Sequence, residues 1–559
     1  MQNTTLNGAL YAGMLSSGAD HLGCYRKAVN DLNVFPIPDG DTGDNMLATV
    51  YSGADAVDRG EDADLSDVAN RSAHGMLLGA RGNSGVILSR IFSGINKGFE
   101  GVREADLSVI SRAMECGVEE AYRAVPVPVE GTILTVFSDG VHYANERITG
   151  ESTLKTYFND LLGEMQRSLE RTPDLLPVLR EAGVVDSGGA GLIYIFEGMR
   201  RTLNGEAVER IEAHAETKKA DLDAFGADSV LTYGYCTEFL LRLQNAKGDP
   251  EAFDLPAFVE YLNSVGNSVV AFREGTILKV HVHTMRPGDV LNRCQRFGEF
   301  LTLKVENMSL QHNETELPEV TVTVPKARKK AGIVAVAAGA GLKETFLSLG
   351  TDVVIDGGQS MNPSTADFLD AFDKTNADVI YVFPNNGNVL MTAKQAKDLY
   401  PASDIRVLNT HSVGEGYAAI SMMDTNAGEP DEIVAELDEI IHSVTTGFVS
   451  RASRNAEKDG VHVHSGDFIG FIGDTIYVND RDAVDTAIAL SRSMHVENCG
   501  VLLLLVGLDA PEAEADNLFS ALTEQYPRTE VIRIDGGQPV HQYILVDKVH
   551  KNFYYNYQL

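Results

Sequence analysis

Apolar residues in the N-terminal third of the chain recur every three or four positions, the spacing that lines one face of an α-helix. Leu107, Ile110, Met114 and Val118 form one such stripe. Leu154, Tyr157, Phe158, Leu161, Leu162, Met165 and Leu169 form a longer one. Few alternating runs of β-branched residues interrupt them, so a helical bundle with its loops gathered at one end is expected. The pattern then changes. Residues 206–224 are polar and rich in Ala and Lys, as in a linker or an exposed helix. From Val230 onward short alternating stretches predict strands, among them Thr276-Ile277-Leu278-Lys279-Val280-His281-Val282-His283, with a helix over 250–265 between them. Residues 317–330, with Pro318, Pro325 and a basic cluster, predict a second linker. Beyond Gly332, continuous apolar runs at 332–337, 352–355, 378–383 and 405–408 read as buried parallel strands separated by helices. One of those helices opens at Pro363-Ser364-Thr365, a favourable start. The longest apolar run, 501–506, is far too short for a membrane span and predicts another buried strand.

The reading is a multidomain chain of α and α/β type, since 559 residues exceed what one core holds. Its expected parts are residues 1–207, all-α; 226–315, a small α+β domain; and 331–559, α/β. Asp356-Gly357-Gly358-Gln359 recurs as Asp535-Gly536-Gly537-Gln538, each after an apolar strand and a helix, so two related α/β halves are expected in the last part.

Charge narrows the partners. The chain has 46 basic and 80 acidic residues, a formal net charge of −34. Such a field repels nucleic acid and anionic membranes, leaving at most peripheral membrane association. A polyanionic substrate has to arrive with cations or meet a locally positive pocket. The five cysteines are scattered and odd in number, unlike a disulfide framework, and no basic segment precedes an apolar core at the N-terminus. A cytoplasmic protein is expected.

The candidate chemistry begins at Pro38-Asp39-Gly40-Asp41-Thr42-Gly43-Asp44-Asn45. Carboxylates this close repel one another unless a divalent cation neutralises them, and a loop of this kind presents hard oxygen ligands to Mg²⁺. An acidic turn that binds nothing uses the same residues. Gly79-Ala80-Arg81-Gly82-Asn83-Ser84-Gly85 feeds an apolar helical start, so its backbone N–H groups are available either to an anion or simply to close helix packing. It lacks the Gly-Lys-Ser/Thr ending of a Walker A loop. Glu130-Gly131-Thr132 and Gly183-Val184-Val185-Asp186-Ser187-Gly188-Gly189 open two further helices. Metal ligands and helix-end donors, if they converge, are most of what phosphoryl transfer requires. His281 and His283 share one face of a predicted strand, with Cys236 in another and His312 further on. Such a mixture suits Zn²⁺, although a histidine pair two apart is equally a surface feature.

Leu32-Asn33-Val34-Phe35-Pro36-Ile37-Pro38-Asp39-Gly40-Asp41-Thr42-Gly43, together with Gly79–Gly85 and Val185-Asp186-Ser187-Gly188-Gly189, resembles the nucleotide-binding domain of the dihydroxyacetone-kinase superfamily. The ATP-binding subunits of bacterial fatty acid kinases are the most similar branch. Tyr233-Gly234-Tyr235-Cys236-Thr237-Glu238 and Gly357-Gly358-Gln359-Ser360-Met361-Asn362-Pro363-Ser364-Thr365 extend the resemblance over the whole chain. It implies an N-terminal barrel of about eight helices holding ATP and two Mg²⁺ ions, a role that hard oxygen ligands suit. It matches Asp39 and Asp41 to metal-ligating aspartates and, less closely, Asn33 to a further ligand. Thr42, Gly43 and Asn45 fall in the same nucleotide-site loop. Asn83, Ser84 and Gly85 match a phosphate- and ribose-contacting turn, Thr132 a nucleotide-site threonine, and Asp186 and Gly188 a loop that closes over the nucleotide. Asp44 stands where relatives commonly carry Thr, either as an extra metal ligand or as a solvent-facing change. Cys236, His281 and His283 match a structural Zn²⁺ set. The C-terminal part resembles the DegV-like fold and is expected to serve docking or dimerisation.

The resemblance thus implies a kinase component that phosphorylates the carboxylate of a fatty acid presented by a separate DegV-family fatty-acid-binding protein, and that works as a homodimer. Its product is an acyl phosphate for phospholipid synthesis. The competing expectations are a kinase for a small hydroxylated molecule such as dihydroxyacetone, and a non-catalytic regulator that binds nucleotide or lipid.

Overall fold

A computed structural model describes residues 5–33, 40–57, 63–125, 127–206, 235–244, 247, 253–274, 276–307, 328–358, 362–425 and 427–547. Two compact units emerge: residues 1–211 with 326–559, and residues 212–325.

The first unit opens with the helical domain. Its long helices are α1 (Gly8–Asn30), α2 (Thr42–Asp55), α3 (Leu65–Gly79), α4 (Gly82–Gly98), α5 (Leu107–Ala124), α6 (Ile133–Glu146), α7 (Leu154–Leu175) and α9 (Ser187–Asn204). A single short helix, α8 (Pro177–Ala182), separates the last two. The predicted stripes are the buried faces: all seven apolar residues of the α7 stripe are buried, as are Ile110, Met114 and Val118 on α5. Side-chain caps fix where these helices begin, with Asp106 accepting from the Ser108 and Val109 amides and Thr153 forming a capping box with Thr156. One continuous core, including Leu15, Phe92, Phe137, Tyr157 and Phe196, fills the bundle.

The same unit contains the α/β domain. Asp404–Val407, Ala377–Phe383, Lys329–Ala337 and Val353–Asp356 form a parallel sheet in that spatial order. All four expected runs are strands. A second sheet is mostly antiparallel. Its order is Thr475–Asp480, Phe468–Ile472, Thr445–Arg451, His541–Asp547, Val501–Val506, Glu530–Ile534, and its one parallel pair is the last. Short connections such as the one between Ile472 and Thr475 cannot make a parallel crossover, so these strands return antiparallel. The two Asp-Gly-Gly-Gln copies close equivalent strand–helix–strand units, one at the edge of each sheet.

The helical and α/β domains pack directly on each other. Gln395, which is buried, donates from Nε2 to Leu77 O at 2.9 Å and to Thr365 Oγ1 at 3.1 Å, and its Oε1 accepts from Arg90 Nε at 3.1 Å. Every polar atom of that side chain therefore has a partner, as a dry domain interface demands.

The second unit is a four-stranded antiparallel sheet in the order Asn267–Glu274, Ile277–Thr284, Tyr235–Leu243, Gly298–Asn307, carrying the helices Leu255–Val265 and Pro287–Cys294. Phe239, Leu241, Leu262, Leu278 and Val280 make its core. No helix among the described residues is long and apolar enough to cross a membrane.

Candidate functional site

The N-termini of α2, α4, α6 and α9 meet at one end of the helical domain, joined by short polar contacts. The Ser187 hydroxyl at the head of α9 donates to Thr42 Oγ1 at the head of α2 (3.3 Å), and Thr42 donates to Asn33 Oδ1 (3.0 Å). Asp186 accepts from the Gly189 amide at 2.6 Å, capping α9, and also from the amide of Ile133 at the head of α6. Gly82 starts α4 at φ +58°, where a Cβ would lie 2.5 Å from Asn45 Nδ2, so glycine alone lets α4 close onto α2. Helix starts leave N–H groups without intrahelical acceptors and carry the positive ends of the dipoles. Four of them together favour a multiply charged anion such as a polyphosphate.

Asp41 sits at the mouth of this cluster in the N-cap position of α2, without capping it. Its Oδ2 accepts from Asn362 Nδ2 at 2.5 Å. Burial pushes the carboxyl up from 3.8 to about 6, only partly offset by hydrogen bonds from Asn45 and Asn362. Asp186 is likewise pushed by burial to about 6. Carboxyls withdrawn from water without a cationic partner are expensive, and such groups gather at functional sites.

Asp44 is exposed and turned to α1, its Oδ2 accepting from Asn30 Nδ2 at 2.6 Å and its Oδ1 3.3 Å from Arg26. Its oxygens are engaged away from Asn362. Gly43 donates its amide to Asn30 Oδ1 at 2.7 Å. Asn83 lies in the first turn of α4 with a buried Oδ1 that has no hydrogen-bond partner, beside Ser84 and the buried Gly85. Thr132 caps α6, accepting from Leu134 N and donating to Val129 O. Gly188 is buried in the first turn of α9. Asp39 lies outside the described residues.

The sequence did not point to three residues at this site. Asn362 comes from the α/β domain, Arg81 Nη1 donates to its carbonyl at 2.7 Å, and Arg454 donates to the carbonyl of Asn33. The arginines give a strongly acidic chain local positive charge. Asn362 precedes a helix start that the sequence does reveal, but nothing in the pattern tells which way its side chain faces.

The donor set suits Mg²⁺. Asp41, Asn45, Asn83 and Asn362 offer hard oxygens, and the Oδ1 atoms of Asn83 and Asn362 are buried without partners. Mg²⁺ usually keeps several waters and takes one or two carboxylates alongside phosphate oxygens. Among the described residues no group of three His, Cys, Asp or Glu side chains could hold a metal.

In the middle unit, the backbone register sets Cys236 opposite His283 and Glu238 opposite His281. The side chains of Cys236, His281 and His283, and the whole of His312, lie outside the described residues. In the α/β domain a crevice at the strand ends is lined by Gly357, Gly358, Asn385, His411, Ser412, Gln538 and His541, so both Asp-Gly-Gly-Gln turns border it.

Residues 36–201 match the DAK2 domain, 232–315 the FakA-like middle domain of fatty acid kinases, and 332–548 the FakA-like C-terminal domain of the same enzymes. An uncharacterized protein of Staphylococcus aureus strain USA300 is 37% identical over 549 residues, covering 96% of this chain and 98% of that protein. The chain belongs to the FakA-like fatty acid kinase family. A counterpart in Staphylococcus aureus strain MRSA252 is equally similar, at 37% over 549 residues. Among solved structures, the fatty acid kinase B3 protein of Streptococcus pneumoniae loaded with linoleic acid aligns with 40% of this chain and 100% of its own, at 14% identity and a TM-score of 0.30. The dihydroxyacetone kinase of C. freundii aligns with 41% of this chain and 49% of its own, at 11% identity and a TM-score of 0.29. In this FakA-like chain, the DAK2 match contains Asp41 and the four helix starts, whereas Asn362 belongs to the C-terminal match. The site draws on two modules of the family.

Proposed function

We propose that the chain is the ATP-binding kinase component of a fatty acid kinase, transferring the γ-phosphate of ATP to the carboxylate of a fatty acid carried by a separate DegV-family protein. The observation that carries this reading is the meeting of four helix N-termini, with the half-buried carboxyl of Asp41 at the head of one of them among hard oxygen donors. Family membership supplies the substrate class.

In this reading the phosphates bind to those amides at the heads of α2, α4, α6 and α9 that Asn30, Thr132 and Asp186 do not already engage, with Asn83, Ser84, Gly85, Thr132 and Gly188 nearest the nucleotide. Asp41, with Asp39, Asn45 and Asn33, would hold Mg²⁺, two ions by family analogy. When bound, the metal neutralises charge across the β- and γ-phosphates. Asp186 joins two of the helix heads and so fixes their spacing. A fatty acid carboxylate is ionised near neutral pH, so its oxygen needs no general base. That oxygen forms a bond to the γ-phosphorus as the bond to the bridging oxygen breaks, giving acyl phosphate and ADP. Asp44, turned toward Arg26, acts in holding α2 to α1 rather than as a ligand. Zn²⁺ at Cys236, His281 and His283 and a homodimer belong to the same proposal. The first is supported by the register of the two strands, the second by analogy alone.

The test is ATP consumption by the purified chain. Turnover that requires a lipid-loaded DegV-family carrier, with acyl phosphate trapped as a hydroxamate, supports the reading. Turnover with dihydroxyacetone alone replaces it with a small-molecule kinase. Nucleotide binding without turnover under either condition leaves a regulator.

A further inference from the structure

Asn362 belongs to the α/β domain in sequence and to the acidic loop in space. Its side chain is 1% exposed, with Nδ2 2.5 Å from Asp41 Oδ2 and 3.4 Å from Asn45 Oδ1. Backbone contacts hold the loop in place on the helical domain. The Thr365 amide donates to Ala80 O at 3.2 Å, Arg81 and Ser364 form an antiparallel bridge, and Arg81 Nη1 grips the Asn362 carbonyl.

Helix capping does not account for this asparagine. The helix Thr365–Thr375 is already capped reciprocally by Ser364 and Asp367. Domain docking does not account for it either. Gln395, the docking residue of the same interface, has its side-chain donors and acceptor all satisfied, whereas Asn362 Oδ1 is buried without a partner. A contact serving adhesion alone gains nothing from an unmet amide oxygen beside a carboxylate. A residue that orients a metal-binding carboxylate does: the donor fixes the rotation of Asp41, and the free oxygen is an acceptor for a water in the shell of a cation bound there.

We propose that Asn362 is a positioning residue for Asp41, so that the α/β domain completes the Mg²⁺–nucleotide site of its own chain. This rests on the reading of the helix-start cluster as that site.

The test is calorimetry of ATP binding to the full chain across a Mg²⁺ series, with turnover and thermal melting measured in parallel. Asn362→Ala should need roughly 10–100-fold more Mg²⁺ for half-maximal ATP binding, the usual effect of losing an outer-shell partner. Asn362→Ser, which keeps a donor in a smaller side chain, should fall between it and the parent, and serves if the alanine variant does not melt cooperatively. Gln395→Ala should lower the melting temperature and leave the Mg²⁺ requirement unchanged. A parental Mg²⁺ requirement in both Asn362 variants overturns the proposal while the kinase reading stands, and so does an equal shift in Gln395→Ala. A parent chain that binds no ATP at any Mg²⁺ concentration, or an Asp41→Ala variant that binds it normally, overturns both.

Discussion

Adding one methyl group at Gly43 tests whether the geometry of the α2 start sets the rate. Gly43 is the second residue of α2, two positions from both Asp41 and Asn45. A Cβ there would lie 2.4 Å from Arg26 O and 2.8 Å from Asn30 Oδ1. Ordinary contact begins near 3.4 Å, so the helix start must retreat from α1 by about 1 Å. Overpacking of this kind costs about 1–3 kcal/mol. A misplacement of about 1 Å among reacting groups costs roughly 100-fold in rate. Gly163 provides the matched control. It lies within α7, and a Cβ there would meet nothing within 4 Å. Alanine at that position should stabilise the helix by about 0.5–1 kcal/mol through propensity alone. The assay is carrier-dependent ATP turnover at saturating Mg²⁺ together with thermal melting of the full chain. Gly43→Ala should melt several degrees lower and turn over roughly 100-fold more slowly, whereas Gly163→Ala should melt slightly higher at parental turnover. Turnover within about twofold of the parent in Gly43→Ala would refute the claim that the α2 start positions the reacting groups.

Three more outcomes are expected. Asp186 has its folded carboxyl raised to about 6, so its contribution to stability is full below 3.8 and is lost as pH rises through 6. Asp186→Asn should therefore gain between about 1 and 3 kcal/mol at pH 8 relative to the parent while losing turnover, checked by denaturant melts and the kinase assay. His541 is buried, with Nδ1 2.6 Å from Ser450 Oγ, and burial pushes it down from 6.5 to about 3. Stability is then intact above 6.5 and falls as pH drops toward 3, by about 2 kcal/mol between 6.5 and 5. Hydrogen exchange of the strand His541–Asp547 reads this loss, and His541→Gln should flatten it. Metal analysis should find zinc in stoichiometric amount in the parent and depleted in Cys236→Ser or His281→Ala; its absence from the parent removes the proposed zinc site.

The elements most legible in the sequence were those whose pattern is local. The α7 stripe and the 501–506 run announced a helix and a strand because burial on one face, or on both, leaves a direct periodic trace. The antiparallel second sheet was not legible, since pairing direction depends on which strands meet and not on their composition. At the site, the Asp–Gly loop and glycine-rich helix starts were conspicuous because few other residues fit such turns. Asp44 stood open between an extra metal ligand and a solvent-facing change; the packing of α2 against α1 turns its carboxylate to Asn30 and Arg26, a contact that no local pattern encodes. Asn362 stayed hidden for the same reason. It acts on a residue 321 positions away, and no local pattern encodes a partner at that distance.

That same separation gives the protein a timetable. A ribosome adds about 5–20 residues per second, so Asp41 leaves it well before Asn362 exists, and the gap of 321 residues takes on the order of 15 to 60 seconds to translate. The contact between Asp41 and Asn362 therefore cannot form until the α/β domain has begun to emerge.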